Sequence, residues 1–142
     1  PLDEMIRLTE RAVDAGYSIM WDADVSNDYF RQKDGYAMIW KKNPGDYSAI
    51  GPDDEEIAYD QSLRQSLYEN LTTQDDHLMH IVGVKNSAGG KKFFMVKNSW
   101  GERGPFKGYI NVSEAYFAIN TLSLVIPKAS LDNTLLKKLG LQ

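Results

Sequence analysis

The segment HLMHIVGVKNSAGGKKFFMVKNSWG, residues 77–101, contains two apolar runs separated by the tetrapeptide SAGG. Apolar runs rich in Val, Ile and Phe on either side of a glycine-containing turn are typical of a β-hairpin. The second run ends in a polar and aromatic cluster, Asn98-Ser99-Trp100-Gly101, that does not continue a strand pattern. The segment therefore predicts a hairpin that carries a group of orienting and shielding side chains at its open end.

A two-residue turn at Ser87-Ala88 would set the register of this hairpin. His77 would then lie directly opposite Asn98, on the same face of the sheet. His80 would lie opposite Met95 and pack within the sheet. Because side chains three apart in a strand point to opposite faces, we do not expect the two histidines to share one site.

An imidazole beside a carboxamide has a chemical use. When the Asn98 carbonyl accepts from one ring nitrogen of His77, it fixes the tautomer and leaves the other nitrogen free to act as a base. A surface or capping histidine is the structural alternative, since Asp75 and Asp76 precede His77. These residues and His80 could also be a metal cluster, but the β-like pattern does not suit that spacing. We therefore expect no metal and no cofactor.

The composition is that of one globular domain and excludes several function classes. The 142 residues carry a net charge of -4 and show no basic stripe, which argues against nucleic-acid binding. No apolar run reaches the ~20 residues of a membrane span. The absence of cysteine excludes disulfides, zinc-thiolate sites and a cysteine nucleophile from this chain. Because the first residue is Pro1, we expect the chain to be part of a longer gene product. As a separate expectation, we place that product in the cytoplasm.

Periodicity and turn residues predict the other elements. They are helices at 2–15 and 53–70, strands at 17–21, 36–40, 108–112 and 122–126, a loop at 41–52, a helical turn at 113–119 and a short helix at 131–139. The acids at the start of the second helix, residues 53–56, would be stabilised by the helix dipole. Ile57, Leu63 and Leu67 would form its inner stripe. The predicted fold class is α+β, with an antiparallel, barrel-like sheet and flanking helices.

These motifs together resemble a known family. A His that opens an apolar strand, Gly83 six positions later, a hairpin and then VKNSWG are similar to the C-terminal half of the papain-like cysteine peptidases. The stretches TTQDDHLMHIVGV, WDADVSND and MVKNSWGERGPFKGYINVSEAYF resemble the bleomycin hydrolase and aminopeptidase C branch. The resemblance extends from the first helix to about Lys128.

The resemblance implies roles for individual residues. His77 matches the general base, Asn98 its orienting residue, and Trp100 the indole that covers the hydrogen bond between them. Ser99 and Gly101 complete the motif without a catalytic role. In the family the nucleophilic Cys and an oxyanion-hole Gln lie on an N-terminal lobe, so we expect residues 1–142 to be the C-terminal His/Asn lobe, with the Cys-bearing lobe absent.

The resemblance also implies partners. We expect a peptide substrate, association with the Cys-bearing lobe, and a hexameric homo-oligomer, with no nucleic-acid or membrane partner. The chain alone should be inactive. Its end, LLKKLGLQ, differs from the alanine-rich end that restricts this branch to peptide N-termini. The alternative function is a catalytically inactive lobe that serves as a peptide- or protein-binding scaffold.

Overall fold

The computed structural model describes residues 1–42 and 45–141, and within them seven strands form one sheet. The strands are β1 (Ile19–Ala23), β2 (Phe30–Arg31), β3 (Tyr36–Ala37), β4 (His77–Asn86), β5 (Lys92–Lys97), β6 (Tyr109–Ser113) and β7 (Thr121–Val125). Their order in the sheet is β2-β3-β6-β5-β4-β1-β7. Neighbours are antiparallel except β3 and β6, which are parallel. The predicted α+β class, with a curled half-barrel sheet and flanking helices, is confirmed.

Helices pack around this sheet. They are α1 (Leu2–Asp14), α2 (Gln61–Glu69), α3 (Glu114–Asn120) and α4 (Asn133–Lys138), with 3-10 turns at Tyr47–Ala49 and Lys128–Ser130. The α1 helix ends as predicted before Gly16, which has a positive φ of 86°. None of the helices within residues 1–42 and 45–141 is long and apolar enough to cross a membrane. Positions 43 and 44 of the predicted loop lie outside the described residues.

The acidic run at 53–56 does not begin a helix, so that prediction is wrong. The α2 helix starts only at Gln61, and the Asp60 side chain caps it by accepting from the Leu63 N–H at 2.7 Å. Glu56 instead accepts from the Ile39 N–H at 2.9 Å. The acids of this run thus have partners elsewhere in the chain, such as the Lys41 ammonium for Glu55, and do not face a helix dipole. The predicted apolar stripe (Ile57, Leu63 and Leu67) does pack against the core, but its first member precedes the helix.

The hairpin of β4 and β5 is present, but its register differs from the predicted one. His80 lies opposite Lys97, and Gly83 lies opposite Met95. A β-bulge immediately before Gly83 inserts one residue into β4. The predicted pairing of His80 with Met95 is therefore wrong: the hairpin turn is three residues longer than predicted, and the bulge offsets only one of those three.

The hairpin turn is longer than predicted. Residues 87–91 connect the two strands, and the Ser87 N–H donates to the Lys91 carbonyl at 2.8 Å. Asp53 supports this turn from outside the hairpin: its carboxylate accepts from the Ser87 hydroxyl and from the Gly89 N–H at 3.2 Å. A side chain distant in sequence thus favours a wider connection than Ser87-Ala88 alone would make.

The core lies between the inner face of the sheet and the helices α1 and α3. Trp21 is fully buried, and its indole N–H donates to the Thr121 hydroxyl at 2.8 Å. Phe94 of β5 contacts Phe117 of α3 with ring centroids 4.4 Å apart. Burial of such side chains contributes roughly 1.5–3 kcal/mol each. This packing holds the central strands β1, β4 and β5 in place, and the candidate site lies at their ends.

Candidate active site

His77 and Asn98 are in direct contact at one end of the sheet. His77 is the first residue of β4 and pairs with Ala23 of β1, whereas Asn98 follows Lys97, the last residue of β5. The distance between His77 Nε2 and Asn98 Oδ1 is 2.8 Å. The structure therefore brings together the two residues that the sequence singled out.

The way in which they meet differs from the prediction. One step beyond the pair of His80 and Lys97, the register places Met79 opposite Asn98. The predicted direct pairing of His77 with Asn98 is therefore wrong. His77 lies two residues before Met79 and points to the same face, so it is a diagonal neighbour of Asn98. Diagonal neighbours on a sheet stay within reach of long side chains.

Asn98 is held in a buried hydrogen-bond network. Only 3% of the residue is exposed. Its Oδ1 accepts from the Ser99 N–H at 2.7 Å as well as facing His77. Its Nδ2 donates to Gln32 Oε1 at 3.0 Å. Each polar end of the amide thus has a hydrogen-bond partner, and these bonds offset the free-energy cost of removing the amide from water.

Gln32 is a residue of this site that sequence reasoning missed. It follows β2 and is 8% exposed, although glutamine usually lies at the surface. Its Nε2 donates to the carbonyls of Tyr109 at 3.2 Å and Arg103 at 3.4 Å. The local sequence RQKDG offers no signal for this role, because its contacts come from residues at least 66 positions away.

Trp100 covers one side of the imidazole. Its ring centroid lies 4.9 Å from that of His77, and the two planes make an angle of 30°. Phe30 of β2 contacts the indole edge-to-face at 5.8 Å. The indole is 39% exposed, so it shields the hydrogen bond between His77 and Asn98 on one side while the site stays open to solvent.

Close approach of the backbone shapes the loop after Asn98. Gly104 has a φ of 77°, and a Cβ at this position would lie 2.1 Å from the carbonyl oxygen of Gln32. Gly108 has a φ of 87°, and its Cβ would lie 2.3 Å from the Gly101 carbonyl oxygen. Both positions thus require glycine for conformation and for space. The Asn98 N–H donates to the Gly108 carbonyl at 3.0 Å, which connects the loop to the pair of His77 and Asn98.

His80 is far less constrained than His77. It is exposed on the outer face of β4, while Met79 and Ile81 point into the core. Its neighbours across the sheet are Met20 and Lys97. The expectation that His80 packs inside the sheet is wrong, because strand alternation puts its neighbours in sequence on the buried side.

The two acids before His77 have structural partners. Asp76 accepts from the Val25 N–H at 3.1 Å, and hydrogen bonding, chiefly from the Ser26 side chain, lowers the pKa of its carboxyl group. Asp75 lies near Asp22, whose pKa is raised mainly by burial and further by the Asp75 charge. Among residues 1–42 and 45–141, no group of three or more His, Cys, Asp or Glu side chains is placed to hold a metal ion.

Comparison with known proteins assigns the chain to a family. Residues 2–141 match the family model described as Peptidase C1-like family. The chain belongs to the Peptidase C1-like family. A curated member, aminopeptidase C from Streptococcus thermophilus, is 31% identical over 129 residues, which are 90% of this chain and 27% of the relative. The resemblance to papain-like cysteine peptidases is therefore confirmed.

A solved structure shows the same fold. The crystal structure of PepW from Lactobacillus rhamnosis HN001 superposes with a TM-score of 0.67 at 23% sequence identity. The match covers 96% of this Peptidase C1-like chain and 29% of PepW. The chain thus spans between a quarter and a third of the length of these two relatives.

Proposed function

We propose that this chain supplies the general base and its orienting residue to a cysteine-type aminopeptidase. The observation that carries the proposal is the 2.8 Å contact between His77 Nε2 and Asn98 Oδ1, beneath the Trp100 ring. The 142 residues contain no cysteine, so in this proposal the nucleophile lies on a separate Cys-bearing N-terminal lobe. Membership of the Peptidase C1-like family supports the reaction type.

The proposed reaction is amide hydrolysis through an acyl-enzyme. Because Asn98 occupies Nε2 of His77, Nδ1 is the atom that exchanges a proton with the cysteine thiol. The thiolate attacks the peptide carbonyl carbon, and the imidazolium protonates the nitrogen as the C–N bond breaks. His77 then removes a proton from water as the water attacks the acyl carbon, and the thiolate leaves. A thiol paired with a histidine can have a pKa of roughly 3–4, so the ion pair is the resting state.

Asn98 suits the orienting role because it is neutral. A carboxylate in its place would put a full negative charge beside the imidazolium and raise its pKa. The amide instead holds the ring through one directional hydrogen bond. Trp100 keeps water away from one side of that bond, which strengthens it by lowering the local dielectric constant.

The substrate class follows from the relative. The curated relative is called aminopeptidase C, so we propose peptides with a free N-terminus as substrates, in line with the bleomycin hydrolase branch. Matched aminoacyl reporters with a free and an acetylated α-amino group test this point. Cleavage of the free form alone supports an aminopeptidase, and equal cleavage of both contradicts it.

Exposed apolar side chains lie on the outer face of the sheet. Leu78 of β4 is 54% exposed and lies opposite Asp22 of β1, and Val125 of β7 is 56% exposed and lies opposite Met20 of β1. Exposed apolar side chains in one area are typical of an interaction surface. We propose that a Cys-bearing lobe of the same protein associates with this chain and that the complete protein forms a homo-oligomer, with a hexamer as the form implied by resemblance.

The experiment that tests the function uses the full-length protein. His77→Ala should lower hydrolysis of an aminoacyl reporter by at least about 10²–10⁴-fold, because the general base is lost. His80→Ala is the matched control, since it removes an exposed histidine from the same strand and should leave turnover unchanged. Wild-type turnover by His77→Ala would sink the assignment. A wild-type protein without activity, carrying Ser, Ala or Gly at the Cys position, would favour the inactive scaffold.

A further inference from the structure

We infer that Gln32 is a positioning residue that sets the direction of the hydrogen bonds from the backbone through Asn98 to His77 and so selects the tautomer of His77. The geometric part of this inference concerns proton positions alone. Its catalytic consequence rests on the proposed function.

Two backbone carbonyls next to Gln32 fix the orientation of its side-chain amide. One terminal atom of the Gln32 amide lies 3.2 Å from the Tyr109 oxygen and 3.4 Å from the Arg103 oxygen. A carbonyl oxygen can only accept, so the atom that faces both of them must be the NH₂ group. The other end of the same amide, Oε1, must then face Asn98.

The polarity of Asn98 follows from that of Gln32. Oε1 of Gln32 can only accept, so the atom of Asn98 that lies 3.0 Å from it must be Nδ2. A second contact agrees: the Ser99 N–H donates to the opposite atom of the amide, Oδ1, at 2.7 Å. Both contacts therefore exclude the flipped orientation of Asn98, a choice that heavy-atom positions alone leave ambiguous.

The orientation of Asn98 in turn determines the tautomer of His77. Oδ1 of Asn98 can only accept, so Nε2 of His77, 2.8 Å away, must carry a proton. In the neutral imidazole that proton is the only one on the ring, and Nδ1 is left with its lone pair. This is the protonation state that a base needs to take a proton from a thiol through Nδ1.

Burial prevents water from replacing the hydrogen-bond partners of Gln32 and Asn98, so these bonds determine the orientation of both amides. With Asn98 and Gln32 both below a tenth exposed, water is a poor substitute partner for either amide. A flip of either amide would set two NH₂ groups or two oxygens against each other. Glutamine is suited to this position because it offers one acceptor and one donor end, and a methionine of similar length offers neither.

The segment from Phe30 to Gln32 contacts two different residues of the site. Phe30 of β2 contacts Trp100, and Gln32 two residues later contacts Asn98. Gly104 permits the Gln32 backbone to approach the loop after Asn98, since any side chain there would clash with its carbonyl. One short segment at the edge of the sheet thus fixes both the cover and the orienting residue of the imidazole.

The test reads the His77 tautomer directly by ¹⁵N NMR of the full-length protein labelled with [¹⁵N]histidine, with the resonances assigned through His77→Ala. In the wild type above the imidazole pKa, Nε2 should show a pyrrole-like shift and Nδ1 a pyridine-like shift. In Gln32→Met, Asn98 Nδ2 loses its buried acceptor and only the Ser99 N–H still orients the amide, so the two shifts should move towards each other as the second tautomer becomes populated. Gln65→Met is the control, because Gln65 is exposed and bonded to Glu69.

Kinetics gives the second readout. Gln32→Met should lower kcat by about tenfold to a hundredfold, as expected for a misplaced catalytic group, with a smaller change in KM. Wild-type His77 with its proton on Nδ1 would overturn the inference whatever the variants do, including a variant that fails to fold. A folded Gln32→Met with an unchanged tautomer would overturn it as well. The expected tautomer in a protein without peptidase activity would refute the proposed function and leave this inference standing.

Discussion

The two ends of β5 carry polar networks of different chemistry. At its C-terminal end is the amide network, which consists of His77, Asn98 and Gln32. At its N-terminal end is the lysine network, which consists of Glu10, Glu56, Lys91, Lys92 and Glu114. The first network is built from neutral groups whose donors and acceptors have fixed directions. The second is built from charges, which attract without a comparable directional requirement.

The lysine network connects helices α1 and α3 to strand β5. Lys92 Nζ lies 2.6 Å from Glu10 Oε1 of α1 and 2.5 Å from Glu114 Oε2 of α3. Burial opposes the charge on Lys92, but these two carboxylates outweigh it and raise the pKa of the ammonium group. Burial also raises the pKa of Glu56, although Ser113, Ile39 and Lys91 stabilise its charge. The charged groups of this chain therefore hold helices and strands together, whereas its neutral amides orient an imidazole.

Asn98→Ala should separate orientation from basicity, and after His77→Ala it should have the largest effect on turnover. Turnover of the full-length enzyme should fall by about tenfold to a hundredfold, since the ring loses its orienting partner but keeps its base. The loss should be smaller than that in His77→Ala. The measurement is kcat per titrated active site, which corrects for unfolded protein. A loss as complete as that of His77→Ala would show that Asn98 does more than orient.

Lys92→Met should affect stability and leave turnover almost unchanged. It removes the cation shared by Glu10 and Glu114, so the free energy of unfolding should fall by roughly 1–3 kcal/mol, less than for a fully buried pair because these side chains are partly exposed. Urea unfolding provides the measurement. Lys41→Met is the matched control, since its pair with Glu55 at 2.5 Å is exposed to solvent and should contribute much less to stability. Equal losses in the two variants would contradict the assigned role of Lys92.

Glu56→Gln should change how stability depends on pH. The folded-state pKa of Glu56 is raised, so the folded protein holds more protons than the unfolded one above the ordinary glutamate range. This group therefore lowers the free energy of unfolding as pH rises from that range through the raised value. Glutamine can still accept from the Ile39 N–H and the Ser113 hydroxyl, so the variant should lose that decline.

Urea unfolding of both proteins across this pH range provides the measurement. The stability of the variant relative to the wild type should therefore rise from acid to neutral pH. Parallel pH profiles for the two proteins would show that Glu56 is not the source of the decline.

His80→Ala should have the smallest effect. The imidazole is exposed on the outer face of the sheet, so the free energy of unfolding should change by less than about 0.5 kcal/mol. Turnover should not change. A loss of activity comparable to that in Asn98→Ala would mean that the outer face of β4 takes part in the reaction, and the contrast between the two histidines would fail.

Local patterns predicted the elements well where the chain makes its own contacts. The α1 helix, both strands of the hairpin and the contact between His77 and Asn98 all follow from the apolar periodicity and the NSWG motif. The register was missed mainly because the turn is longer than the two residues predicted, and the bulge before Gly83, for which a glycine inside a strand is a signal, changes it again. The contact survives that error because a diagonal neighbour still lies within reach of the imidazole.

Features that depend on distant partners could not be predicted. The acids at 53–56 read as a helix start, yet their partners are the hairpin turn, Ile39 and Ser113. Gln32 lies in a short polar turn, and nothing nearby shows that its amide will meet Asn98. In both cases a polar side chain acquires its role only when the sheet curls and brings remote backbone groups to it.

The short edge strand β2 has a consequence for the order of folding. His77 and Asn98 are 21 positions apart and joined by a hairpin, whereas Gln32 meets Asn98 across 66 positions. Closing the longer loop costs more chain entropy, so we expect the hairpin to form first and β2 to dock later. During refolding, pulsed hydrogen exchange should protect the β4 and β5 amides before the Asn111 amide, which donates to Gly35 beside β2 and β3. Simultaneous protection would refute this order. If it holds, the chain passes through a stage in which the base is present but its proton has not yet been assigned to one nitrogen.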